Sequence, residues 1–204
     1  QLVQNIRKNH EHQWIYNQPT TPVSLITEIT DHLTVPFSAP VLVLFTVEWA
    51  LCLRNRGFEN ISVAAYRNDT VEAFCKKFNF NFVDLTEKNN MKFDVIVGNP
   101  PYQQTISNNT KNKSLSKQIF PDFIELFIGL NPKYLSLVTP SRWFTGDAQD
   151  KSFLRLREYF KINNHIESIV NIPISSTVFP DVEISGGINY FLYNPEYNGD
   201  VLFT

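Results

Sequence analysis

Cysteine is scarce in this chain: only Cys52 and Cys75 occur among 204 residues. Both fall in apolar, helix-like stretches without metal-ligand spacing, so a cysteine-based metal module is excluded and a reducing cytoplasm is the expected compartment. An excess of basic charge is also lacking, because the formal net charge is −2. A chain with that balance does not bind nucleic acid through its overall field; any DNA contact has to come from a local patch or from further sequence. There is no secretory signal and no apolar run long enough to span a membrane, which predicts a soluble protein without a membrane partner. The four histidines, His10, His12, His32 and His165, show no ligand spacing, so no metal site is expected. Methionine occurs once, at Met91, the first residue is Gln1, and GDVLFT closes the sequence as a new strand begins. The chain reads as a piece of a larger protein.

What is present is an alternation of two hydrophobic periods. Residues 1–19 are polar with scattered apolar positions and read as an arm leading to a domain over 20–204. TPVSLITEITDHL repeats apolar residues at Val23, Ile26, Ile29 and Leu33, one face of a helix with Pro22 in its first turn. VLVLF, ISVAAY, FNFV, FDVIVG, KYLSLV, HIESIVNI and GGINYFLYN are strand candidates, and EWALCLRNRG, TVEAFCKKF, SKQIFPDFIELFIGL and DKSFLRLREYFKI are helix candidates between them. Strands alternating with amphipathic helices predict an α/β domain, a doubly wound Rossmann-like sheet of about seven strands, with the last two paired antiparallel. In such sheets ligands sit beyond the carboxyl ends of the strands, which places Phe45, Tyr66, Asp84, Asn99 and Thr139 along one rim. TISNNTKNKSLSK (105–117) reads as a polar loop that leaves Lys111, Lys113 and Lys117 in solvent, or facing phosphates.

FDVIVG runs into Asn99-Pro100-Pro101-Tyr102. Two prolines after a strand can be a simple stop, since proline donates nothing to a ladder and restricts the residue before it. The combination also suits chemistry. The asparagine carbonyl and the rigidly aimed Pro100 carbonyl are two acceptors, and the tyrosine supplies a flat face. Together they can clamp a planar amine. The exocyclic nitrogen of adenine is a poor nucleophile because its lone pair is delocalised. With both hydrogens held by acceptors it can pyramidalise and attack a methyl sulfonium, once the base has been flipped out of its duplex.

FDVIVGNPPY resembles motif IV of the amino-methyltransferases that use S-adenosylmethionine, and the order of the segments around it is similar to the gamma group of DNA adenine methyltransferases of restriction–modification systems. The resemblance runs from about residue 20 to Tyr193. It implies the fold of the class I S-adenosylmethionine-dependent methyltransferases and places Asn99, Pro100, Pro101 and Tyr102 in the catalytic clamp. TPVSLITEITDHL is similar to motif X, which implies that Thr21 touches the methionine end of the cofactor; as a residue, Thr21 is also a satisfactory helix cap. FVDL is similar to motif III, which gives Asp84 the cofactor adenine, although a strand-end acid needs no such role. Phe45 and Asp69 complete the implied cofactor set. VFPDVEISGGINYFLY resembles the segment whose aromatic, here Phe179, packs on the flipped base together with Tyr102; alternatively Phe179 is core. Arg142 and Trp143 either face DNA or cover the rim.

The departure from the family lies in motif I. Val47 and Trp49 stand where its glycines are expected, so the usual methionine-binding loop is absent from VLVLFTVEWA. The motif II acid is displaced as well: Tyr66 and Arg67 hold its place and Asp69 follows. The resemblance implies a site-specific DNA adenine methyltransferase domain, acting on double-stranded DNA with a target-recognition domain, alone or with an endonuclease, elsewhere in the same chain. The other classes are a DNA-binding module with a degenerate cofactor site, and an enzyme of the same type acting on protein glutamine or RNA.

Overall fold

A computed structural model describes residues 19–204 apart from 67–68, 88–91, 106–115, 149 and 181. The arm at 1–18, Arg67, Lys111 and Lys113 therefore lie outside the described residues. The elements in chain order are α1 (Val23–Asp31), β1 (Val41–Leu44), α2 (Val47–Asn55), β2 (Ile61–Ala65), α3 (Asp69–Phe78), β3 (Asn81–Asp84), β4 (Val95–Gly98), β5 (Gln103–Thr105), β6 (Ser116–Gln118), α4 (Phe120–Ile128), β7 (Tyr134–Pro140), α5 (Ser152–Asn163), β8 (Ile166–Ile172), β9 (Ile188–Tyr193) and β10 (Leu202–Phe203). Short 3₁₀ turns occupy Ser141–Phe144 and Ser175–Thr177.

β1, β2, β4 and β7 are the strands whose residues are apolar on both faces, and all four are buried along their whole length. Such strands need a layer of helices on each side. The sheet order is β10-β8-β9-β7-β4-β1-β2-β3. β4, β1, β2 and β3 run parallel, β7 continues parallel to β4, and β9 lies antiparallel between β7 and β8. The antiparallel pairing expected of the last two long strands is present, and Leu202–Phe203 adds an eighth strand beside β8.

The chain leaves β1 toward β2 and β3, then returns to the other side of β1 to form β4. Because parallel crossovers are right-handed, α2 and α3 cover one face and α4 the other. Contacts agree with this division. Arg54 on α2 donates to the carbonyl of Asn79 at the end of α3 and lies 3.7 Å from the Phe80 ring centroid. On the other face, Arg155 of α5 bonds Asp122 and Glu125 of α4 at 3.1 and 2.6 Å, and the Phe120 and Phe153 rings pack 5.5 Å apart. No described helix is long and apolar enough to cross a membrane.

Polar groups inside this core are paired where strands meet. Thr139 and Asn189 are register partners on β7 and β9, both 0% exposed. Thr139 Oγ1 donates to Asn189 Oδ1 at 3.3 Å, and Asn189 Nδ2 donates to the Thr139 carbonyl at 3.1 Å. Asn189→Ala strands both Thr139 groups away from water, so a loss of about 1–3 kcal/mol in denaturant unfolding is expected.

Candidate active site

The order in which strands are added to the sheet reverses between β1 and β4, which are parallel neighbours, and such a switch point is where an open α/β sheet forms its ligand crevice. β1 pairs with β4 so that Leu44 faces Gly98, and with β2 so that Leu44 faces Ala64; β2 pairs with β3 so that Ala65 faces Asp84. Along the rim the order is therefore Asn99, Phe45, the β2–α3 connection with Tyr66 and Asp69, and Asp84. Neighbouring strands are about 4.8 Å apart, so the three steps from β4 to β3 span roughly 14 Å.

Asn99 is wholly buried, yet among the described residues neither Oδ1 nor Nδ2 has a partner. Leaving such an amide unpaired costs about 1–3 kcal/mol for each stranded group, and persistence of the cost is the mark of a site held ready for something else. The position depends on Gly98, which has φ +152. A Cβ there would lie 2.8 Å from Leu44 Cβ and 2.9 Å from the Leu44 nitrogen, so β4 approaches β1 more closely than any side chain permits.

Pro100 and Pro101 are buried, whereas Tyr102 is half-buried against the core, its hydroxyl buried and without a partner among the described residues. Burial pushes the Tyr102 phenol well above its ordinary range, opposed by the neighbouring Asn99 side chain. Although the two are close, no hydrogen bond of acceptable geometry joins them. The ring is neutral throughout the working pH range. The Tyr102 carbonyl accepts from Ile119 N at 3.0 Å, and Gln103 pairs with Gln118 on an antiparallel hairpin. The segment read as a solvated loop therefore closes at its base into β5 and β6. Lys117 stays largely in solvent, its side chain 42% exposed, but reaches Asp122 at 3.2 Å, and Asp122 also binds Arg155.

β1 ends in a turn that needs no glycine. Phe45 has φ 63, and Thr46 N donates to the Leu44 carbonyl at 2.8 Å, the bond of a γ-turn about a positive-φ residue. The missing motif I glycines do not remove the sharp turn; a strained phenylalanine makes it. Its ring is buried against Phe123, 5.2 Å away, and Tyr66, 5.6 Å away, so Phe45 offers the rim its backbone. Burial also pushes the Tyr66 phenol well up. Trp49, in the second glycine's place, is 0% exposed and belongs to the core.

Thr21 is 1% exposed, its backbone nitrogen donates to Glu48 Oε1 at 3.1 Å, and its hydroxyl has no partner. The helix-cap reading fails, because Pro22 is the N-cap of α1 and no side chain caps that end. Thr21 instead lies over the first turn of α2. At the opposite end Asp84 closes β3, and its Oδ1 accepts from Thr86 N at 2.8 Å and Thr86 Oγ1 at 2.7 Å, which fixes the carboxylate. Asp69 starts α3; its side chain lies outside the described residues. Phe179 is not on the open rim but 2% exposed, in a turn where its nitrogen donates to the Ser175 carbonyl at 2.8 Å. Arg142 is exposed and Trp143 is buried beside Phe144 and Phe160, so this pair divides between solvent and core. The contribution of Gly98 was missed from sequence, as was that of Glu48, whose one signal was an acid in the first turn of a helix.

An eight-stranded sheet with one antiparallel strand inserted near its edge, helices on both faces and a crevice at the β1–β4 switch is the fold of the class I S-adenosylmethionine-dependent methyltransferases. Solved structures share it: a type I restriction-modification methyltransferase subunit from Streptococcus thermophilus (TM-score 0.66, 15% identity, 95% of this chain and 48% of that one); a putative class I S-adenosylmethionine-dependent methyltransferase from Listeria monocytogenes (TM-score 0.64, 14% identity, 100% and 69%); and the type IIG restriction endonuclease BpuSI (TM-score 0.63, 16% identity, 100% and 28%). Residues 44–179 match the Eco57I restriction-modification methylase family model, and the chain belongs to that family. A relative from Mycoplasma pneumoniae, named an uncharacterized adenine-specific methylase, is 40% identical over 114 residues. That alignment takes in 56% of this chain and 26% of the relative, and the chain spans about half or less of the length of the two restriction-system structures named above.

The fold class implies S-adenosylmethionine as cofactor, and the rim fits an elongated nucleoside with an amino-acid tail. Asp84, an oriented acceptor, stands at one end. Thr21 and the first turn of α2 stand at the other, and Asn99 lies at the end of the neighbouring strand β4; the Thr21 hydroxyl and both polar atoms of the Asn99 amide have no partner among the described residues. Trp49 is packed into the core rather than into this space.

Proposed function

We propose that this chain is the catalytic domain of a DNA adenine methyltransferase of a restriction–modification system, methylating the 6-amino group of an adenine flipped out of double-stranded DNA. The observation that carries the proposal is Asn99: a buried amide without a partner among the described residues, at the end of the strand beside the cofactor rim, followed by a rigid carbonyl and a half-buried tyrosine. When bound, S-adenosylmethionine supplies a methyl group activated by a sulfonium.

The chain's own residues do the rest. Asn99 Oδ1 and the Pro100 carbonyl accept the two amine hydrogens, drawing the nitrogen toward a tetrahedral shape with its lone pair free. Pro101 stiffens the segment, so that this geometry exists before the base arrives. Tyr102 stacks on the base with a neutral ring, and Phe179 contributes a second apolar surface once the base enters. Neither carbonyl acceptor is basic enough to keep the amine proton, which leaves to water after transfer. Asp84, Asp69, Thr21 and the turn at Phe45 hold the cofactor across β1. The family, together with the name of the Mycoplasma relative, supports adenine over other amines, and further domains of the same protein would read the DNA sequence.

The test is product identity. The full protein is incubated with unmethylated duplex DNA and methyl-labelled S-adenosylmethionine, and the DNA is digested to nucleosides. Label in N6-methyldeoxyadenosine is expected; label in N4-methyldeoxycytidine, or none in DNA while glutamine of a protein substrate is labelled, overturns the assignment.

A further inference from the structure

The first turn of α2 replaces a glycine loop with a charged residue, and its surroundings give that charge a purpose. Glu48 is half-buried and accepts a hydrogen bond from Thr21 N, 27 positions away in sequence. It forms no ion pair among the described residues. The N-cap of the same helix, Thr46, turns its hydroxyl back to the Leu44 carbonyl at 3.4 Å and makes no capping bond, so the first backbone N–H groups of α2 have no side-chain acceptor. Beside them sits the Thr21 hydroxyl, 1% exposed and without a partner.

Uncapped N–H groups and an orphaned hydroxyl form a place for an anion; an uncompensated carboxylate beside them is a place for a cation. An α-amino acid carries both charges one carbon apart. Such a pair suits neither a lone anion, which Glu48 repels, nor a lone cation, which the helix N-terminus repels. We infer that Glu48 is the counter-ion of the α-ammonium group of the methyl donor, with the Thr21 hydroxyl and the first turn of α2 taking its carboxylate, so that side-chain charge performs the binding assigned elsewhere to glycine backbone. The inference rests on the proposed function, since it names what holds that cofactor's tail. It makes Glu48 a specificity-determining residue that requires an amino-acid tail on the nucleoside.

Calorimetry on the full protein separates the two claims. S-adenosylhomocysteine carries the zwitterionic tail, whereas 5′-methylthioadenosine lacks it. Glu48→Gln keeps the shape and the acceptor for Thr21 N and removes only the charge. It is expected to weaken S-adenosylhomocysteine about 10- to 100-fold, as the loss of a charge-assisted bond would, and to leave 5′-methylthioadenosine within about twofold of wild type. Equal affinity of variant and wild type for S-adenosylhomocysteine overturns the role of Glu48 and leaves the methyltransferase reading intact. Equal weakening of both nucleosides also overturns it, because a structural role would act on both. A wild-type protein that binds neither nucleoside overturns both readings. If Glu48→Gln does not fold, the deletion is made on the ligand: an S-adenosylhomocysteine analogue without its α-amino group should bind wild type more weakly by the same factor, and equal binding overturns the proposal.

Discussion

Asn99→Ala is expected to lower methyl transfer by at least about a thousandfold while leaving the fold as stable as before or slightly more so. The two halves of this result have the same cause. The Asn99 amide is completely buried and bonds to none of the described residues, so alanine relieves stranded polar groups and a rise of up to about 1–2 kcal/mol in unfolding free energy follows. At the reaction centre the same truncation removes one of two acceptors that shape the amine, and losing a preorganised partner of developing charge costs about 10²–10³ in rate by itself. Misplacement of the base adds to that. Labelled transfer measured beside thermal unfolding checks both, and a variant that loses activity only in proportion to a fall in stability would make Asn99 structural.

Gly98→Ala should produce the opposite pattern, damage to fold and activity together. The new Cβ would meet Leu44 Cβ at 2.8 Å and the Leu44 backbone at 2.9 and 3.0 Å, in a central pair of parallel strands, at φ +152. Backbone atoms in the middle of a sheet cannot step aside as a flexible side chain would. Strain and the forced separation of β1 from β4 are expected to cost about 2–4 kcal/mol, seen as a lower denaturant midpoint with little change in slope. Whatever folds should carry Asn99 displaced relative to β1, so activity per folded molecule also falls.

Much of the fold was legible because burial on both faces leaves a plain trace: VLVL, ISVAA and VIVG are short apolar runs rich in β-branched residues, each a strand here, and the helices between them repeat at the helical period. The proposed clamp rests on a related kind of local signal. Asn-Pro-Pro-Tyr is contiguous, and its acceptors, stiffness and flat face come from neighbouring residues. What sequence did not convey was long-range pairing. Nothing local to Arg155 tells that the carboxylates of Glu125 and Asp122, 30 and 33 positions earlier on α4, await it. Nor does anything local to Thr21 tell that its nitrogen donates to Glu48, or that its hydroxyl does not cap the helix that follows. The turn at Phe45 is the clearest case. Without glycine, VLVLFTVEWA reads as lacking the bend after β1, yet the bend is made by a residue in the left-handed region, whose cost of about 1–2 kcal/mol is offset by burying its ring against Phe123 and Tyr66. Strain of this kind is set by the packing around a residue and leaves no signature in its identity.

The central claim is that one rim, from Asp84 through Phe45 to Thr21 and Glu48, holds a methyl donor whose reactive end meets Asn99. A crystal structure of the full protein with S-adenosylhomocysteine tests it most directly. The adenine is expected beside Asp84, the amino-acid tail over the first turn of α2, and the sulfur turned toward Asn99. A ligand found away from this rim, or lying across it with adenine at Thr21 and tail at Asp84, would contradict it.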